Sequence, residues 1–590
     1  MKWKALAFWL LVFAGLFFFF RSFNIFFYQQ QEEMQLFIPE WFFIRDLLFI
    51  PGGFCSVSGQ MLVQYYPDLF IAISVNSLLI SSTGVLCYLL LQTIARREYN
   101  LLLALVPVAA LMKVHMNLNY VPDGTIGILL MLLLLFLFTV LRRKQVWFPY
   151  SLASTFVIYV LAGQMAALYG IALAALGFFQ RKEKWPYVFF ALFTGLGLSF
   201  FSTRLSLSIP LTDGIYSIRY QEKQMLPESF IYFVWIRYTL LLVILYLITY
   251  SLDKIMGGKR LNKIGITGST AILVSLFICF FCLPDRQDMQ NRLIYELSYW
   301  ERHQKWDNLI QMHKGKKIPN PISQNYLNMA FAAKGELGDK LFHFDQQGPQ
   351  SLIAPWDGSY YMSAMLSDIH YMIGDISTAE SYAMEGLTLA KRTCSPRMLK
   401  RLIQTNLIRG EYAIARKYIN LLERTPYYHT WAEKYKIYLC NPEKIAQDKE
   451  LGTKKLPSIA DDNLLCLVGM DSLWERHLSE PAVNRIALDY LGCSYLLAKE
   501  MNAFKALLLR IADKAEWQPL PIHFQEAALV LSVEDASVLE KIKVRPEIIR
   551  RCRQFQADVK QARNNPDGLG LIYRQYGDTF WFYYYCKQLN

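Results

Sequence analysis

Two adjacent carboxylates, Glu32 and Glu33, follow the first long apolar run of the chain and head the stretch QEEMQLFIPEWFFIRDLLFIPGGFCSVSGQMLVQYYPD. A carboxylate at the edge of an apolar layer can act as a general base if it has hydrogen-bond reach to a proton and a pKa near working pH. Two carboxylates side by side repel, which drives one toward neutrality unless a cation or a divalent metal ion sits between them. Two later connectors carry further ionisable groups: Lys113, His115 and Asp123 in MKVHMNLNYVPDG, and Arg204, Asp213, Arg219 and Tyr220 further on. Arg237 lies inside an apolar run, where an arginine is costly and usually meets a carboxylate, a phosphate or a water-filled cavity. The candidate constellation is therefore Glu32 and Glu33 as the acid–base pair, with Arg219, Arg237, His115 and Asp123 as substrate-binding groups. Each also has a plainer reading. Acids can simply solvate a helix exit, Arg237 can snorkel toward headgroups, and a single His without a ligand cluster is weak evidence for catalysis.

Those residues need elements to hold them at one face of a membrane. The chain has 590 residues, 54% hydrophobic and 15% aromatic, and the apolar content is uneven. Long apolar runs fill residues 1–284 and ordinary mixed sequence fills residues 285–590, so a polytopic transmembrane domain followed by a water-exposed domain is expected. Trp3 to Phe20 stands behind Lys2 and Lys4 with no small-residue cleavage pattern after it, which reads as an uncleaved first span. Eight further spans are drawn at Leu69 to Ile94, Leu101 to Val114, Ile126 to Leu141, Ser151 to Gln164, Met165 to Phe179, Tyr187 to Ser202, Phe230 to Tyr250 and Ile266 to Leu283.

Charge fixes the orientation. With a cytoplasmic N-terminus, the inner connectors hold the basic clusters around Arg96, Arg142, Arg181 and Lys259, while the outer ones hold scattered cations such as Arg21, Arg45 and Lys223. Merging Ser151 to Phe179 into one helix would put the Arg181 cluster outside, so nine spans are kept. An odd count places the C-terminal region outside the cytoplasm, in the periplasm of a bacterium. The net charge of +13 is then largely topological, and nucleic acid is not an expected partner.

The connector 28–68 is too long for a bare link and too interrupted to span. Pro39, Pro51, Gly52 and Gly53 cut it into pieces, with Glu40 to Ile50 reading as a short amphipathic helix and a second short helix near Gln60 to Tyr66. Gln29 to Phe37 is expected to leave the membrane carrying the acid pair. The connector as a whole is expected to wall a site at the outer membrane face.

From Asp285 onward the residues read as short helices in pairs. Gly335-Glu336, Gly374-Asp375 and Gly410-Glu411 each follow one apolar-periodic helix and precede another, glycine taking the turn and the acid starting the next helix. Gln304-Lys-Trp306 and the segment at Met501 to Phe504 look like degenerate forms of the same turn. These motifs resemble tetratricopeptide-like repeats, which implies a concave helical surface for a protein or polymer partner, an envelope protein among them. The cysteines are too widely spaced for zinc, and no protein metal site is expected from them.

The whole layout resembles the GT-C class of membrane glycosyltransferases: acids just after the first span, an outer loop of two surface helices, many short spans and a soluble domain outside. The resemblance implies an all-α fold and sugar transfer from a polyprenyl-phosphate donor, with Glu32 or Glu33 as base or metal ligand and Arg219 and Arg237 holding the phosphate. The acid pair is Glu-Glu where that class usually has Asp-Glu or Asp-x-Asp, and no C-terminal catalytic motif of the class is present. The phrase QEEMQLF followed by PGGF and QYY also resembles a group of uncharacterised bacterial membrane proteins that end in helical repeats. A membrane-anchored repeat scaffold with no enzymatic site is the competing expectation.

Overall fold

A computed structural model describes residues 3–23, 25–118, 120–141, 146–180, 189, 193–198, 230–258, 269–276, 286–314, 320–390, 394–454, 485–512, 518–562 and 567–587. All regular structure among the described residues is helical. The chain divides into two compact units, the first comprising Met1–Arg292, Ala390–Arg397 and Ile419–Lys434, the second Leu293–Leu389, Met398–Tyr418 and Tyr435–Asn590. Two short stretches from far along the chain belong to the first unit.

Unit 1 runs through α1 (Trp3–Phe23), α2 (Ile25–Glu33), α3 (Trp41–Leu48), α4 (Gly53–Val63), α5 (Leu69–Ile94), α6 (Asn100–Leu103) and α7 (Leu105–Val114). It continues with α8 (Asp123–Val140), α9 (Trp147–Ala162), α10 (Met165–Gln180) and α11 (Phe230–Gly258). Among the described residues four helices, α1, α5, α8 and the Phe233–Lys254 part of α11, are long and apolar enough to cross a membrane, and α7, α9 and α10 are among the shorter apolar helices. The spans expected at 187–202 and 266–283 lie largely outside the described residues.

Local chemistry sets the breaks. Asp68 caps α5, its carboxylate accepting from the amides of Phe70 at 2.9 Å and Ile71 at 3.2 Å. Gly163 at φ +60° separates α9 from α10, and Gly52 at φ +86° starts α4; both lie in the left-handed region that glycine alone takes without a Cβ penalty. The two turns sit back to back, with the Gly52 amide donating to the Val160 carbonyl at 3.0 Å. A Cβ on Gly163 would lie 3.0 Å from the Pro51 oxygen. The connector thus holds two short helices, as its Pro and Gly residues require. The second spans Gly53–Val63 rather than 60–66, because Gly53 is already its first helical residue. Helix α3 buries no side chain and turns Trp41 and Phe42 outward, with Phe49 and Ile50 exposed just beyond its end.

Unit 2 is built from helix–turn–helix pieces closed in one way. At Gly374 the Asp375 amide donates to the His370 carbonyl at 2.9 Å and the Gly374 amide to Tyr371 at 3.2 Å, the paired bonds of a Schellman turn. The pattern recurs with Glu336 to Phe331 at 2.8 Å and Glu411 to Asn406 at 2.8 Å, around Gly335 at φ +69° and Gly410 at φ +84°. Two turns make the same bonds without glycine. Lys305 donates to the Trp300 carbonyl at 2.9 Å around Gln304 at φ +52°, and Glu500 to Tyr495 at 2.9 Å around Lys499 at φ +59°. The core of the unit joins early and late helices, bringing Phe331 and Phe342 together with Phe524, Phe580 and Trp581.

Candidate functional site

Gln30 through Ile38 of unit 1 are all buried, and with them the acid pair. The cover includes residues that sequence position could not suggest. Glu32 is 3% exposed, and the Tyr428 hydroxyl donates to its carboxylate with 2.7 and 2.8 Å to the two oxygens. Glu33 is 5% exposed, and its carboxylate stands 3.6 Å from the Arg397 guanidinium. The Ser395 hydroxyl donates to the Glu33 backbone carbonyl at 2.6 Å. Ser395 and Arg397 flank Pro396, the first residue of the Pro396–Arg409 helix. Arg424 faces Glu40, just before α3, at 3.5 Å. Burial pushes the Tyr427 phenol up, and the nearby Glu32 and Asp68 charges add to the shift.

The acid pair connects to the second cluster of sequence candidates through its neighbour. The Gln31 side-chain amide donates to the carbonyls of Tyr120 at 2.5 Å and Leu118 at 3.3 Å. The Tyr120 hydroxyl lies 2.9 Å from the Thr125 hydroxyl, which lies 2.7 Å from His115 Nε2. Burial pushes His115 down to about 3, so its imidazole is neutral at physiological pH and acts through hydrogen bonds rather than charge. Asp123 is buried at the start of α8, and its carboxylate lies so close to α4 that a Cβ on Gly59 would stand 1.7 Å from Oδ1. Burial, with the Asp123 charge adding to it, pushes the Cys55 thiol up. Gln64 donates to the Phe37 carbonyl at 3.1 Å, and the Tyr28 and Tyr66 rings meet edge to face at 5.2 Å, so the connector folds back over the acids' own strand of chain.

Glu32, Glu33, His115 and Asp123 therefore belong to one buried polar region of unit 1. Arg237 lies on the exposed side of α11, opposite Trp235 and Tyr238, which are buried. Arg219 lies outside the described residues. A cation beside the acids is Arg397, 364 positions from Glu33 in the chain. Nothing in the local sequence around Arg397 marks it. The one available signal was negative, since a carboxylate pair in an apolar setting requires a cation from somewhere. The single Tyr428 hydroxyl lies between the two Glu32 oxygens and Glu33 faces an arginine; among the described residues no group of three or more His, Cys, Asp or Glu is arranged to hold a metal ion.

Residues 1–587 match the family model described as a family of unknown function, DUF6057. The chain belongs to that family. The match runs across both units, so membership covers the acid pair, its covering segments and the helical second unit together. No curated protein matches the chain. No solved structure matches it either.

Proposed function

We propose that unit 1 is a GT-C-like glycosyl-transfer unit that moves a sugar from a polyprenyl-phosphate donor to an acceptor at the outer face of a bacterial inner membrane. In this reading the membrane part has nine spans with the N-terminus in the cytoplasm, and unit 2 is a periplasmic tetratricopeptide-like domain. The observation that carries the proposal is the buried acid pair with Arg397, Tyr428 and, through Gln31, the His115–Thr125–Tyr120 chain around it. Polar and ionisable groups gathered inside a bundle of apolar helices are expensive, and they are concentrated where substrates are handled. The order of α1, then α3 and α4, then α5 supports the same reading.

In the transfer the acceptor oxygen attacks the anomeric carbon as the bond from that carbon to the phosphate oxygen breaks. Glu33 takes the acceptor proton and Glu32, held by Tyr428, fixes the local geometry. Arg397 offers its fork of donors to the departing phosphate, a charge-assisted contact that strengthens as negative charge develops. The segments that carry Ser395, Arg397 and Tyr428 cover the acids and must part to admit an acceptor before closing on it. The test is a deletion strain complemented with Glu33→Gln or Arg397→Gln at unchanged protein level. Loss of an envelope glycan in both supports the proposal; a wild-type glycan profile with either variant sinks it.

A second reading treats the same contacts as a latch in a non-enzymatic membrane-anchored scaffold whose repeats dock an envelope protein. The near-complete burial of both acids favours it. The swap Glu33→Arg with Arg397→Glu separates the two: a latch retains its ion pair and its function, whereas a general base is lost.

A further inference from the structure

Unit 2 contains a cavity of about 360 Å³ between the segment 342–346 and the C-terminal residues 573–587. That is at the small end of the roughly 300–1,000 Å³ typical of small-molecule sites, so it suits a ligand of sugar-ring size rather than a protein segment. We propose that this cavity binds an acidic saccharide, a pyranose carrying a carboxylate or phosphate. The proposal is independent of the transferase reading of unit 1.

The wall is aromatic on one side. Tyr573, more than half exposed, meets Phe582 with ring centroids 5.4 Å apart and planes inclined by 55°. Rings inclined in this way cannot sandwich a flat nucleobase, but each offers a face to the apolar C–H side of a pyranose. The remaining lining includes Gln575, whose side-chain amide carries both donor and acceptor for vicinal hydroxyls, and Asp578, whose carboxylate accepts only. His343 is pushed down chiefly by burial, with the nearby His523 adding to it, and so supplies a neutral ring.

The charges select the acid. Lys587 is paired with Asp345 and also donates to the Gln346 carbonyl. Asp578 is paired with Arg551 at 2.6 Å. Both lining carboxylates are thus neutralised locally, and the remaining lining cation is Arg574, exposed beside Tyr573 and without an ion pair among the described residues. A guanidinium and aromatic rings lining the same cavity can receive one anionic group on a ring.

The back of the cavity is preorganised. Glu526 accepts from His523 Nδ1 at 2.8 Å and from the Phe580 amide at 2.8 Å, and His523 meets Phe342 edge to face at 4.9 Å. Gln346 is held by its own donation to the Leu341 carbonyl at 2.7 Å. A lining fixed in this way loses little entropy when a ligand arrives.

The test uses the full chain in nanodiscs, with glucuronate, glucose 6-phosphate and glucose as probes, read by saturation-transfer NMR and titration. Both acids should bind about tenfold more tightly than glucose, the worth of one charge-assisted contact. Arg574→Gln should bring them to the level of glucose, Arg574→Lys should restore part of the preference, and Tyr573→Ala should weaken all three. Both positions are exposed, and the unfolding temperature of each variant checks that the fold is kept. Glucuronate alone responding to Arg574 assigns a uronate, and glucose 6-phosphate alone a sugar phosphate; either supports the proposal. Absence of binding by the wild type, or equal binding of glucose and the acids unaffected by Arg574→Gln, overturns it.

Discussion

Asp489 gives the most quantitative prediction. It is 2% exposed within the Arg485–Ala498 helix of unit 2, and its Oδ1 finds no hydrogen-bond partner among the described residues. Burial pushes its carboxyl up to about 7, with Arg485 offsetting part of the shift and Asp339 adding to it. In the unfolded chain an aspartate titrates near 3.9, so between about pH 4 and pH 7 the folded state holds a proton that the unfolded state has released. Stability therefore falls as pH rises through that window, by about 1.4 kcal/mol per pH unit from this group, and the full penalty of about 4 kcal/mol stands above pH 7. Asp489→Asn carries no charge to desolvate. The variant should match the wild type near pH 4 and exceed it increasingly up to pH 7, with a constant advantage of up to about 4 kcal/mol beyond. Urea unfolding of the solubilised chain at several pH values, followed by tryptophan fluorescence, measures the difference. Parallel pH profiles for the two proteins, or a variant less stable than wild type at pH 8, would refute the reasoning.

Other perturbations follow from single contacts. Tyr428→Phe removes the donor from a nearly buried carboxylate and should cost about 1.5–3 kcal/mol, with a coupling above about 1 kcal/mol to Glu32→Gln in a double-mutant cycle; additive effects would show that the contact is not made. Gln304→Gly should raise stability by about 1 kcal/mol in thermal unfolding, because it relieves a left-handed residue in an otherwise regular Schellman turn. Lys499→Gly should give no such gain, because the ammonium it deletes donates to the carbonyls of Tyr584 at 2.9 Å and Lys587 at 2.6 Å. Gly59→Ala drives a methyl into the Asp123 carboxylate and should cost about 1–3 kcal/mol, less in an Asp123→Ala background; an equal cost in both backgrounds would place the strain elsewhere.

What the sequence determined by itself was local. The Gly-acid pairs at 335, 374 and 410 announced their turns because a Schellman motif is closed by bonds that reach back only three to five residues, as from Asp375 to His370. Gln304 lies in an expected degenerate turn, whereas Lys499 stands two residues before the expected segment Met501 to Phe504. Pro51 and Gly52 likewise announced the break between α3 and α4, since proline and glycine act on their own backbone. Tertiary structure decided what covers what. The Glu32 and Glu33 pair reads as a solvated helix exit until Ser395 and Tyr428, 362 and 396 positions away from their partners, close over it. His115 becomes a neutral hydrogen-bonding group, and the Tyr573–Arg574 edge becomes one side of a cavity, only once distant segments are packed. Backbone turns are set by interactions within one helical turn or two, whereas desolvation and charge pairing depend on every segment that displaces water from a group, wherever it lies in the chain.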